Sequence, residues 1–196
     1  MKLTEIYKNL ILESTNTPLI IVDIQPAYER YISIDIPNFI SFLNDHRGKI
    51  LILFNGEDLD LDSLYDIQSW YLDMGLKENK MQNIIWKEKM YGYFRDLMDS
   101  NIDDHLIIKC IREAVINKVN DSRDLSKEFI DVMNNKYNLD LDRYPFFIPD
   151  ISIGLLHEFK NGYICGGSKS QCFREITLFL NALNIRIKEI KKFIYQ

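Results

Sequence analysis

The chain has 196 residues, 46% of them hydrophobic and 27% charged, with a formal net charge of -5. That length suits one domain with a sizeable buried core, and the composition excludes a disordered or fibrous chain. Lysines and arginines are scattered apart from Arg186, Lys188, Lys191 and Lys192, which read as a solvated face, so no nucleic-acid partner is expected.

Three cysteines, Cys110, Cys165 and Cys172, lack zinc-type spacing and are too few for a disulfide scaffold, which points to a reducing compartment. The opening MKLTEIYKNLILES reads as an amphipathic helix rather than a signal peptide. No apolar run approaches the roughly 20 residues of a membrane helix. A cytoplasmic protein with no membrane partner is the expectation.

In chain order, PLIIVD at 18–23 and KILILFN at 49–55 are almost continuously apolar before a polar end, as strands buried on both faces of a parallel sheet are. Between them 36–45 has helical spacing, as does 61–74, which Gly75 can terminate. The acidic run at 57–62 invites a calcium loop, but Ser63 stands at the glycine position and Ser69 at the final glutamate position of an EF-hand. NIIWK at 83–87 is a third strand. Residues 103–144 read as two helices around the turn VNDSRD at 119–124, an insertion at the rim of the site or at a subunit interface, which leaves a homo-oligomer open. FFIPD at 146–150 reads as a short extra strand. YICG at 163–166 and RIKEI at 186–190 are the last strands, with a helix at 170–183 between them. Strands alternating with helices predict one α/β domain over residues 1–196, a doubly wound, mostly parallel sheet with helices on both faces and a helical insertion at about 103–144. Ligands of such sheets bind at the carboxyl ends of the strands, where Asp23, Asn55, Lys87 or Lys89, and Gly166 fall.

Cys172 follows a strand and a Gly-rich turn in YICGGSKSQCF. Ser168 and Gln171 have capping-box spacing, which predicts a helix from about Lys169 with Cys172 in its first turn. A helix N-terminus and a nearby lysine favour a thiolate, a charged Asp23 opposes it so that the net shift stays open, and a Gly-rich loop can donate N–H groups to an oxyanion. On this segment alone a small hydrophobe under the sheet fits equally well. Asp23 can be a general base or a turn residue, and Lys89 a charge partner or a surface lysine. The aromatic residues Tyr28, Trp86, Tyr91, Tyr93 and Phe94 can line a pocket or pack in the core. His46, His105 and His157 are isolated in sequence.

Taken together, PLIIVDIQPAY, KMYGYFRDL and GGSKSQCF resemble, in order, three motifs of the isochorismatase-like cysteine hydrolases. The resemblance implies a Rossmann-like fold with Asp23, Lys89 and Cys172 as catalytic triad and Gln25 beside it. It places a cis peptide at Gly167–Ser168, with the N–H groups of Gly167, Ser168 and Cys172 as oxyanion donors. Gln25, Tyr28, Tyr91 and Phe94 are the expected substrate-binding side chains. The implied reaction is hydrolysis of a small amide-like C–N bond through a Cys172 thioester, without a cofactor. The Asp-x-His of the family's zinc-binding members is missing from FNGEDLDLDSL, so no metal site is expected. The alternative is a catalytically idle hydrolase fold that serves as a binding or assembly module.

Overall fold

The computed structural model describes residues 15–56, 62–89, 98, 102–116, 127–138 and 153–196. The opening amphipathic segment, the turn at 119–124 and the extra strand at 146–150 lie outside them.

Strands β1 (Leu19–Val22), β2 (Ile50–Phe54), β3 (Ile84–Glu88), β4 (Tyr163–Gly166) and β5 (Lys188–Ile194) form one sheet in the order β3-β2-β1-β4-β5. Every neighbouring pair is parallel. β1 therefore lies at the centre, and all its residues are buried, as its unbroken apolar run requires.

Helices cover both faces, because successive strand residues point to opposite sides. On one face Leu19, Ile21, Ile50, Ile52 and Cys165 pack against α1 (Ile36–Asp45) and α2 (Leu64–Asp73) through Phe39, Leu43, Ile67 and Tyr71. On the other, Ile20, Val22, Leu51, Leu53 and Ile164 meet Phe173, Ile176 and Phe179 of the helix Cys172–Ala182. Each fully buried Ile, Leu or Phe contributes about 1.5–3 kcal/mol over an exposed one. α1 starts where the Asp35 side chain accepts from Asn38 N–H and Pro37 occupies the first turn. α2 starts with a reciprocal capping box between Ser63 and Asp66 and stops at Gly75, whose φ of +97° suits the position after a helix. A short α3 (Glu78–Met81) leads into β3.

Three expectations change. Residues 104–116 are helical as expected, but this helix, α4 (Asp104–Ile116), is a core layer and not a rim insertion. Ile107, Cys110 and Ile111 are buried with the sheet residues. The reason is topological: the chain must pass from edge strand β3 over β2 and β1 to reach β4, and a parallel crossover needs a covering helix. α5 (Lys127–Tyr137) adds buried Met133 to the same cluster, and α6 (Ile153–His157) adds Leu156. The last helix, α7, runs Cys172–Ala182, with Gln171 before it and no side-chain cap. The Ser168–Gln171 capping box does not form, because the Ser168 carbonyl takes the N–H groups of Gln171 and Phe173. Finally, β5 lies at 188–194 rather than 186–190, with a register irregularity against β4 between Ile164 and Gly166.

Candidate active site

All five strands deliver a residue to one edge of the sheet. Asp23 follows β1, Asn55 follows β2, Lys89 follows β3, and Tyr195 follows β5; Cys172 opens α7 after the turn that leaves β4. Asp23 takes φ +49°, a left-handed conformation that aspartate tolerates better than most residues. Gly166, at φ +108°, has no such latitude: a Cβ there would run into the Val22 carbonyl of β1. Gly167 is crowded on its other side, where a Cβ would meet the Tyr195 ring. The Gly167–Ser168 peptide bond is cis, at the position the resemblance implies.

The Lys89 ammonium lies 2.9 Å from Asp23 Oδ2, with both side chains within 1% of full burial. It also donates to Asn55 Oδ1 at 2.9 Å. The Asn55 amide nitrogen donates to the Tyr28 hydroxyl at 2.8 Å and reaches Asp23 Oδ2 at 3.4 Å. The Tyr195 hydroxyl donates to the Asp23 carbonyl at 2.6 Å. The Cys172 thiol lies beside Asp23 and hydrogen-bonds to it. A cavity of about 350 Å³ opens over this group, lined among the described residues by Asp23, Tyr28, Tyr31, Ser168, Gln171, Cys172, Tyr195 and Gln196. No family model matches the chain, and no curated protein or solved structure matches it.

The electrostatics follow from burial. Burial works against the Lys89 charge, but Asp23 and then Cys172 and Glu175 outweigh it, and the ammonium is held above its ordinary range. At Cys172 the features that oppose a thiolate outweigh those that favour it. Burial first, and then the Asp23 charge, push its thiol up to about 12, against the smaller pull of Lys89. A helix terminus and one cation do not offset the desolvation of a thiolate beside a carboxylate.

The expected substrate-binding residues divide. Tyr28 lines the cavity. Gln25 does not: it is fully buried, and its amide clamps the end of β2 by accepting from Asn55 N–H at 2.9 Å and donating to Asn55 C=O at 2.9 Å. It also donates to Asp62 at 3.1 Å, so it fixes the edge of the sheet rather than contacting a ligand. Tyr91, Tyr93 and Phe94 lie outside the described residues. Trp86 packs on Tyr71, ring centroids 5.4 Å apart, in the core of one face. Of the expected oxyanion donors, Gly167 N–H is committed to the Val22 carbonyl at 2.9 Å, because the β1–β4 ladder continues one residue past the strand. Ser168 and Cys172 do line the cavity. Among the described residues, no group of three His, Cys, Asp or Glu side chains is placed to hold a metal ion. Asn55 and Tyr195 are the side chains that the sequence reading left without a role. Asn55 had one signal, its position at the end of an apolar strand.

Proposed function

We propose that this protein is a cysteine hydrolase of the isochorismatase-like kind, acting on a small amide-like C–N bond. The observation that carries the reading is a carboxylate and a thiol that meet at one cavity from separate strand ends, with a buried ammonium from a third strand end paired to the carboxylate behind them. In this mechanism the Cys172 sulfur attacks the substrate carbonyl as its proton passes to Asp23, which suits a thiol that is protonated at rest. Negative charge moves to the carbonyl oxygen, where the N–H groups of Ser168 and Cys172 serve as donors. The C–N bond then breaks, and the proton on Asp23 goes to the leaving nitrogen. Asp23 next takes a proton from water, whose oxygen attacks the thioester; the acid departs and the proton returns to sulfur. Lys89 keeps Asp23 ionised between steps.

The alternative is a binding or assembly module, which burial of the Cys172 thiol beside a carboxylate also suits, since both disfavour a thiolate. The two readings separate on the acyl-enzyme. Against a panel of small primary and secondary amides, the hydrolase reading expects turnover together with a Cys172-linked acyl adduct in intact-mass spectra. Cys172→Ala should lose turnover and adduct while keeping its fold, and Cys172→Ser should fall by about a thousandfold or more, because a hydroxyl is the weaker nucleophile. Wild-type turnover in Cys172→Ala would rule out the covalent route.

A further inference from the structure

Lysine donates hydrogen bonds and accepts none. The Asn55 atom 2.9 Å from Lys89 Nζ must therefore be its oxygen, which turns the amide nitrogen toward Asp23 and Tyr28. At 2.8 Å from that nitrogen, the Tyr28 oxygen acts as acceptor, so its own hydrogen is turned elsewhere. Among the described residues the Tyr28 hydroxyl has no acceptor, while its side chain lines the cavity over Cys172. Of the other two tyrosines of the cavity, Tyr195 has no such freedom, since its proton is spent on the Asp23 carbonyl, and Tyr31 is 54% exposed. A one-way relay thus runs from a fully buried ammonium through an amide to the Tyr28 hydroxyl in the cavity lining. Each donor in such a chain polarises the next.

We propose that Tyr28 is a substrate-binding donor for a carbonyl oxygen, and that Asn55 is the positioning residue that fixes the direction of its proton. The inference rests on the cavity being the reaction site, and it defines the ligand class as small molecules that present a neutral carbonyl acceptor next to the Cys172 sulfur. A ligand offering only donors at that point would leave the Tyr28 proton unpaired.

Two thiol reagents test this without any substrate. Iodoacetamide carries a carbonyl beside its reactive carbon; iodoethane has a similar reactive carbon and no acceptor. The rate of Cys172 alkylation by each, read by peptide mass, gives a ratio in which the thiolate fraction cancels. Tyr28→Phe should lower the iodoacetamide-to-iodoethane ratio about tenfold, the effect of one lost hydrogen bond. Asn55→Asp is near-isosteric and still accepts from Lys89, but it would draw the Tyr28 proton to itself. It should lower the ratio by the same factor, and the double variant should fall no further. A merely structural Asn55 would slow or speed both reagents together. An unchanged ratio in Tyr28→Phe, or additive losses in the double variant, would overturn the proposal. Because neither reagent requires turnover, a failed amide screen with an intact ratio effect would count against the hydrolase reading alone.

Discussion

At Asp23 a carboxylate and an ammonium are paired with almost no exposed surface, and neither can lose its partner without a large cost. Lys89→Met leaves a buried carboxylate and Asp23→Asn a buried ammonium; each should cost about 3–5 kcal/mol. The double variant Asp23→Asn/Lys89→Met should cost less than the sum by more than about 1 kcal/mol, because the second change removes the charge that the first stranded. Urea unfolding of the four proteins near neutral pH measures this, and simple additivity would show that the pair is not coupled. At this scale the sequence was partly legible. Asp23, Lys89 and Cys172 stood at strand ends and carried recognisable neighbours. Asn55 did not declare itself, because its role depends on Tyr28 and Lys89, 27 residues before and 34 after it, across the sheet edge. The sequence left the net shift of Cys172 open between the helix terminus with Lys89 and the opposing Asp23 charge, because desolvation belongs to the packed state and leaves no local trace in sequence.

Among the elements, β1, β2 and β4 were readable because each is buried on both faces and so is apolar throughout. α1 was readable for its 3.6-residue period. β5 was displaced because an edge strand shows lysines on its open side: Ile190 and Phe193 are buried while Lys188, Lys191 and Lys192 are exposed. The turn out of β4 is the element on which the site depends most. Gly166→Ala would put a methyl against the Val22 carbonyl in a backbone conformation that alanine disfavours. The expected loss is at least about 2 kcal/mol of stability, combining the φ penalty with displacement of the strand. Cys172 should also become more accessible to thiol reagents as the β1–β4 edge opens. Thermal unfolding and alkylation rates report the two effects separately, and a stable Gly166→Ala with native alkylation would mean that the turn tolerates a side chain.

For the molecule as a whole, the response to acid has an identifiable source away from the site. His46, after α1, is 1% exposed, packs edge-on to Phe42 with centroids 5.6 Å apart, and accepts at its carbonyl from Lys80. Burial first and the Lys80 charge second hold its imidazole down to about 4. The folded state therefore refuses a proton that the unfolded chain accepts near 6.5, so stability is full above that value and declines as pH falls toward about 4. The amplitude is on the order of 3 kcal/mol, at about 1.4 kcal/mol for each tenfold change in proton affinity. Unfolding free energies of wild type and His46→Gln between pH 4 and 7 should converge at the acid end; a constant gap would exclude His46 as the source. A mostly parallel sheet was inferred from alternation of strands and helices, whereas its strand order and the place of α4 were not, since an apolar helical stripe does not say which surface it covers. The bond from Tyr195 to the Asp23 carbonyl joins positions 172 apart. During synthesis at about 5–20 residues per second, roughly 10 to 30 s separate the appearance of the two residues. Throughout that interval the nascent chain holds Asp23 without the strand that closes over it, so the site is born after nearly all of the sheet that carries it.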